Sequence, residues 1–155
     1  MIKEDLRSLR RDVFETYRFL STVVQSARLD VLKEALRRKG MSRFRANLLL
    51  SLIIVLEAAD VTVLPRSGGF EVWISASRIN GSELASKLNN FGRNVMDAYI
   101  LIVRTWRKYG SAWRRWVVKV LRRKGVDGRA AELILSFLLM CGVIHEPNPG
   151  VIRPT

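Results

Sequence analysis

The residues of this sequence best suited to chemistry are its arginines and lysines, and one short basic segment occurs twice. The sequence Leu-Arg-Arg-Lys-Gly stands at residues 36–40 and again at 121–125, 85 residues further along the chain. A guanidinium group presents a planar fork of N–H donors that matches the oxygens of a phosphate. The repeated segment therefore predicts binding of a polyanion through phosphate contacts.

Each copy lies in a longer run without acidic residues. Residues 98–126 contain nine basic residues and no acidic one, and residues 35–56 contain five and none. Exposed helices normally mix both signs of charge, because oppositely charged side chains one turn apart stabilise the helix. The two runs favour a nucleic-acid surface, and we expect the contact residues to be Arg37, Arg38, Lys39, Arg43, Arg45, Arg107, Lys108, Arg114, Arg115, Lys119, Arg122, Arg123, Lys124 and Arg129.

Overall composition points the same way. The chain has 155 residues, with 27 Lys and Arg against 14 Asp and Glu, a formal charge of +13 and an isoelectric point near 11.0. Such an excess indicates a polyanionic partner or serves solubility. Its 48% hydrophobic content is high enough to exclude an intrinsically disordered chain.

The tryptophans of the second run allow two interpretations. Trp106, Trp113 and Trp116 stand among the basic residues and could stack on unpaired bases, which would favour single strands or RNA. At 100° per residue, however, Trp113 falls with Val117 on the side of a helix opposite to the basic side chains, and we assign Trp116 to the same apolar side. Burial in the core is the preferred interpretation of these two rings.

Catalytic chemistry finds little support. One cysteine, Cys141, excludes an internal disulfide, and a single histidine, His145, leaves no set of zinc ligands. The glycines at 68 and 69 lack the Lys and Ser or Thr of a phosphate-binding loop. We expect no enzyme, no catalytic residue, no metal and no cofactor.

The elements that must position these residues repeat with the basic segment. In each half the pattern predicts a long amphipathic helix, a short helix, a glycine turn, a third helix and a β-hairpin. The fold class is therefore mainly α with short β-hairpins, as two duplicated helix-turn-helix plus β-ribbon units, 1–80 and 81–155, packed as one body. Asp30, Ser42, Ser82 and Asp127 are the expected helix caps, and Gly40 the expected left-handed turn residue.

The order of helices and hairpin resembles the winged-helix family of DNA-binding domains, most clearly at residues 139–144 and 149–153, where the third helix passes into the hairpin. The resemblance implies that the third helix enters the major groove and that the hairpin contacts the backbone. By position it would place Ser42, Arg43, Arg45, Asn47, Arg129 and Glu132 against DNA.

The third helices depart from this family pattern. Residues 48–56 and 133–141 are apolar on nearly every side, and a helix that is apolar all round is buried all round. Only the first turn of each is then free to contact nucleic acid. The remainder must pack on the sister unit or on another subunit, so we expect a homo-oligomer or a heteromeric assembly.

Three functions are compatible with these features. The first is a double-stranded DNA-binding protein that acts as a regulator or replication accessory. The second is an architectural or viral coat protein that polymerises around DNA, since small, basic, helical coat proteins of filamentous archaeal viruses are similar in size and charge. The third is a small helical subunit of a ribonucleoprotein, favoured by the mixture of Trp and Arg.

The N-terminal segment and the apolar stretches bear on location. The acidic residues Glu4 and Asp5 stand where a signal peptide has basic ones, and both long apolar stretches are shorter than the roughly 20 residues of a membrane span. We expect no membrane partner and a cytoplasmic, nucleoid-associated location, or the virion if the protein is viral. The excess of Arg over Lys and the single glutamine, Gln25, suit a hot environment.

Overall fold

The computed structural model describes residues 2–155, which form six α-helices and two small antiparallel sheets. The sequence prediction of a mainly helical chain with short β-hairpins is confirmed. The chain divides into two compact units, one formed by Ser8–Ser86 and the other by Lys87–Thr155 with Met1–Arg7. The division falls inside a helix that begins at Gly81, the residue after the boundary expected from the sequence.

The first half of the chain contains three helices and three strands. A one-turn π-helical segment, Leu20–Val24, extends the first helix. The elements are α1 (Ile2–Phe19), β1 (Ser26–Arg28), α2 (Leu29–Arg38), α3 (Arg43–Val55), β2 (Ala59–Arg66) and β3 (Gly69–Ala76).

The second half repeats the order of these elements. Its two short helices start and end 85 residues after α2 and α3, the same distance that separates the two basic segments. The elements are α4 (Gly81–Tyr109), β4 (Ala112–Trp113), α5 (Arg114–Arg123), α6 (Gly128–Met140), β5 (Ile144–Asn148) and β6 (Val151–Pro154).

The long helices α1 and α4 bury the same periodic pattern. Both place buried side chains at intervals of four, three and four residues, which keeps them on one helical face. These positions are Leu9, Val13 and Thr16 in α1 with Leu20 in the π-helical segment that extends it, and Phe91, Val95, Ala98 and Ile102 in α4.

Glycine turns and side-chain caps fix the junctions between the short helices. Gly40 and Gly125 adopt positive φ angles of 90° and 91°, which a residue with a Cβ rarely adopts. Beyond them, Ser42 Oγ accepts the Arg45 backbone N–H, and Asp127 Oδ1 accepts that of Arg129. The predicted roles of Gly40, Ser42 and Asp127 are confirmed.

Two other predicted caps are wrong. Asp30 lies within the first turn of α2, because the helix starts at Leu29, and its carboxylate accepts the adjacent Val31 N–H and pairs with Arg28 over 3.4 Å. At the start of α4 the capping oxygen is Asn80 Oδ1, which accepts the Glu83 N–H in place of the expected Ser82. In both cases the chain enters the helix earlier than the sequence pattern indicates.

Each hairpin is joined by a third strand that the sequence does not reveal. The sheet orders are β1-β3-β2 and β4-β6-β5, with all neighbours antiparallel. Ala27 pairs with Ile74 and Ala112 with Ile152, so one buried isoleucine occupies the middle strand of each sheet. Because β1 and β4 have three and two residues, they are too short for alternation to be detected, and only pairing makes them strands.

The apolar third helices are buried within the chain itself. Leu49, Leu52 and Ile53 of α3, and Ile134 and Phe137 of α6, have no exposed side-chain surface. Burying such a side chain contributes roughly 1.5–3 kcal/mol to folding. The third helices are covered without a second subunit, which removes the reason for expecting oligomers through them.

No helix among residues 2–155 combines the length and the apolar character that a membrane crossing requires.

Candidate functional site

An open groove lies between the exposed face of α5 and the turn that joins β5 to β6. Its volume is about 1080 Å³. The described residues that line it include four basic side chains, two tryptophans and no carboxylate. They are Trp113, Arg115, Trp116, Val118, Lys119, Arg122, Arg123, Pro149 and Gly150.

Helical periodicity separates the basic and apolar sides of α5. Val117 and Leu121 are buried, whereas Arg115, Lys119 and Arg122 follow one another at intervals of four and three residues on the exposed face. The prediction that these cations form a ridge with an apolar underside is confirmed. The rise from Arg115 to Arg122 is about 10 Å at 1.5 Å per residue.

The opposite wall of the groove is fixed by hydrogen bonds at the N-terminus of α5. The Arg114 backbone N–H donates to the Gly150 carbonyl oxygen over 2.9 Å, and Gly150 N–H donates to Glu146 Oε1 over 2.7 Å. The Arg114 guanidinium also donates to Glu132 Oε2 through Nη2, over 2.5 Å, and through Nε, over 3.2 Å. The Gly150 contacts hold the hairpin turn against the first turn of α5, and the Glu132 contact ties that turn to α6.

The two tryptophans of the groove are exposed, so the expectation that they belong to the core is wrong. Trp113 is 58% exposed and Trp116 is 42% exposed. Trp113 lies in β4, where alternation of side chains points Ala112 inward and Trp113 outward. Trp116 is one residue before Val117 and is therefore rotated about 100° away from the buried face.

Of the fourteen basic residues expected to contact nucleic acid, twelve are exposed and two are half-buried in ion pairs. Those in the groove are Arg115, Lys119, Arg122 and Arg123. The other exposed ones are Arg37, Arg38, Lys39, Arg43, Arg107, Lys108, Lys124 and Arg129. The two half-buried residues are Arg45 and Arg114.

Arg45 is held inside its own unit. Its Nη2 lies 2.8 Å from Asp12 Oδ2 and 3.2 Å from Ser8 Oγ, and its Nε lies 3.3 Å from the same carboxylate oxygen. The side chains of Arg45 and Asp12 are only 16% and 18% exposed. The winged-helix resemblance would place Arg45 against DNA, but its guanidinium is directed towards α1.

Ser42 and Glu132, the other polar residues that the resemblance would bring to DNA, also have contacts within the protein. The Ser42 hydroxyl caps α3, and Glu132 accepts from Arg114. Arg43, Asn47 and Arg129 remain exposed at the starts of α3 and α6. Of the predicted contact residues, the third helices therefore keep two exposed cations, Arg43 and Arg129, whereas α5 and the turn after it carry five.

The corresponding groove of the other unit is lined by both basic and acidic side chains. It lies between α2 and β3 and is lined by Arg28, Leu29, Asp30, Lys33, Phe70, Glu71 and Val72. At the positions of Arg115 and Lys119, α2 carries Asp30 and Glu34. These acids interrupt the basic face of α2, so the lining of this groove mixes both signs of charge beside one aromatic ring, Phe70.

Glu71 is the second carboxylate that lines the α2 groove, after Asp30, and is held as an anion. The indole Nε1–H of Trp73 donates to it over 3.1 Å, and Arg66 lies 3.0 Å away. The hydrogen bond from Trp73, with the hydrogen bond and charge of Arg66, lowers the pKa of Glu71 below its ordinary value. Its negative charge makes this groove a poor site for phosphate.

The remaining candidate residues lie outside the α5 groove. The Trp106 ring is covered by the Arg153 guanidinium, whose carbon lies 5.5 Å from the ring centroid. Neither Cys141 nor His145 lines the groove. Within residues 2–155, no three His, Cys, Asp or Glu side chains are grouped in a way that could hold a metal ion.

Searches of protein-family models, curated proteins and solved structures found nothing that matches this chain.

Proposed function

We propose that this protein is a non-enzymatic nucleic-acid-binding protein whose main contact surface is the α5 groove. The observation that carries the proposal is the lining of that groove, where Arg115, Lys119, Arg122 and Arg123 converge without a carboxylate. A groove with a single sign of charge concentrates the field of its cations and attracts polyanions. Duplex DNA, with one negative charge per 1.7 Å of axis, is the first candidate ligand.

The Arg-rich turn of each unit extends this surface. Arg37, Arg38 and Lys39 are exposed at the end of α2, as Arg122, Arg123 and Lys124 are at the end of α5. Two such turns offer phosphate contacts at two places on one chain. The acids on α2 make the first unit the weaker of the two.

We further propose that the two units are winged-helix-like. The order of three helices and a hairpin, with a short third strand added to each sheet, supports this. In that family the third helix reads bases in the major groove. Here the exposed charge lies on α5 instead, so we expect backbone contacts that position DNA without reading its sequence.

This expectation favours an accessory role over a sequence-specific regulator. An architectural or coat protein would also bind DNA without sequence preference. The reason for expecting polymerisation, however, was an uncovered apolar face on the third helices, and these are buried within one chain. We therefore propose a replication accessory or a similar factor that binds DNA, duplex included, through phosphate contacts.

The test is the salt dependence of duplex binding by a groove variant and a charge-matched control. The groove variant replaces Arg115, Lys119, Arg122 and Arg123 with Ala. The control replaces four exposed basic residues of α1 with Ala and changes the net charge equally: Lys3, Arg7, Arg11 and Arg18.

Each lost phosphate contact reduces the slope of log K against log salt by about 0.9, so four lost contacts reduce it by about 3.6. We expect that reduction in the groove variant, and a slope close to the parent's in the control. An equal reduction of the slope in both variants would show that the overall positive charge, and not the groove, is responsible for binding. Absence of binding by the parent protein at low salt would refute the function itself.

A further inference from the structure

We propose that the α5 groove holds unpaired nucleotides, with bases stacked on Trp113 and Trp116 and phosphates bound by the surrounding cations. This inference rests on the proposed function and names the form of nucleic acid that the groove recognises. It predicts that a single strand, or a single-stranded segment attached to a duplex, binds more tightly than blunt duplex of the same length.

The first argument is the exposure of two large aromatic rings beside four cations. An indole is normally buried, since it carries one of the largest apolar surfaces among side chains. Trp113 and Trp116 instead face the groove at 58% and 42% exposure. Aromatic rings beside a basic track are the combination with which proteins bind single strands.

The second argument is that the rings are held in place by the backbone beneath them. Trp113 is paired with Val151 in the sheet, and Ala112 beside it is fully buried. Trp116 lies in the first turn of α5, whose N-terminus is tied to the Gly150 carbonyl. Val117 and Leu121 occupy the buried face of α5, and Trp116 lies off that face.

The third argument is that a base must be unpaired to use these rings. In a duplex both faces of each base are covered by its neighbours, so only its edges are available. A flexible single strand can turn a base face onto an indole, and the preference is tolerant of sequence because every base has such a face. The groove volume of about 1080 Å³ exceeds the usual range of small-molecule pockets and suits a short segment of strand.

The other unit supplies an internal comparison. At the positions of Trp113 and Trp116 it has Arg28 and Val31, and acids stand where α5 has Arg115 and Lys119. The two tryptophans and two of the four cations of the α5 groove therefore have no counterpart at the equivalent positions of the first half. We expect the groove beside α2 to make no contribution to single-strand binding.

The experiment compares three ligands of equal length: a single strand, the same strand with its central nucleotides replaced by abasic sites, and blunt duplex. The abasic strand keeps the phosphates and removes the bases. The proteins are the parent, the double variant Trp113→Leu with Trp116→Leu, and the control Phe70→Leu. Phe70 is an exposed aromatic residue, at 76%, that lies outside the α5 groove.

We expect the parent to bind the intact strand about tenfold more tightly than the abasic strand, because one stacked base contributes about this much to affinity. The double Trp variant should lose this difference while it still binds the abasic strand as the parent does, and Phe70→Leu should behave as the parent. Intrinsic fluorescence should be quenched by the intact strand in the parent and in Phe70→Leu, but much less in the double variant. Thermal unfolding of each variant checks that the fold is kept.

Equal affinity of the parent for intact and abasic strands would overturn the inference, as would a difference that persists without both tryptophans. In either case duplex binding that still depends on the four groove cations would leave the proposed function standing. If no ligand binds the parent protein at low salt, the proposed function fails together with the inference.

Discussion

The ion pair between Arg45 and Asp12 gives the sharpest test of which basic residues serve the fold and which serve a ligand. Sequence reasoning places Arg45 among the contacts to nucleic acid, whereas the structure directs its guanidinium to α1. Two of its N–H groups reach one Asp12 oxygen, at 2.8 and 3.3 Å, and Ser8 Oγ lies 3.2 Å from Nη2. We therefore expect Arg45→Ala to lower stability and to leave nucleic-acid affinity nearly unchanged.

The expected loss of stability in Arg45→Ala follows from the partial burial of the ion pair. The two side chains are 16% and 18% exposed, between a fully buried pair, which costs 3–5 kcal/mol to break, and a surface pair, which is worth about 0–1. We expect Arg45→Ala to cost about 2 kcal/mol. For a chain of 155 residues this corresponds to a fall of about 4–8 °C in the melting temperature.

The assay is a double-mutant cycle in thermal unfolding, with Arg45→Ala, Asp12→Ala and the double variant. A second cycle on Arg38 and Glu34 serves as a control, because these side chains are 80% and 54% exposed. They lie one helical turn apart, with 3.7 Å between Arg38 Nε and Glu34 Oε1. We expect a coupling free energy of about 1–2 kcal/mol for the first pair and below about 0.5 for the second. Arg43→Ala, at an exposed position, should leave the melting temperature within about 2 °C.

The result that would refute this reasoning is a coupling below about 0.5 kcal/mol for the Arg45 and Asp12 pair. A loss of nucleic-acid affinity in Arg45→Ala with an unchanged melting temperature would show that the residue acts at the ligand.

Two further predictions concern the hairpin and the helix caps. The pKa of Glu71 is lowered in the folded protein, so its contribution to stability is complete above the pKa of a free glutamate, about 4.3, and is lost as the pH falls below that value. Between pH 7 and pH 3, the free energy of unfolding should therefore fall less in Glu71→Gln than in the parent. Identical pH profiles would contradict the lowered pKa of Glu71. Replacing Ser42 or Asp127 with Ala should each cost about 1 kcal/mol, because each side chain accepts a backbone N–H at the start of a helix. The same change at Ser82, which does not cap α4, should be nearly neutral in thermal unfolding.

Local features of the fold could be predicted from the sequence because each depends on neighbours along the chain. The glycine turns at Gly40 and Gly125, the caps Ser42 and Asp127, and the two hairpins all follow from residue type and spacing. The amphipathic division of α5 follows in the same way, since a helix of fixed pitch sorts Arg115 and Lys119 from Val117 without reference to the rest of the protein.

Part of the candidate site could not be predicted, because it depends on contacts between distant segments. Trp113 was assigned to a helix, and only its pairing with Val151 makes it a strand residue that faces outward. Arg45 was assigned to a ligand, and only the position of Asp12, 33 residues earlier, shows that it has a partner. Charge and periodicity carry no information about such pairs.

The sequence by itself determined the helical class, the repeated order of elements and the two basic turns, since these arise from periodicity and composition within short windows. Only the tertiary structure decided that the third helices are covered within one chain, that two tryptophans lie open beside four cations, and that Glu71 of β3 lies in the groove beside α2. The physical reason is that burial and ion pairing belong to the packed chain, in which residues far apart in sequence exclude water from one side chain and leave another exposed.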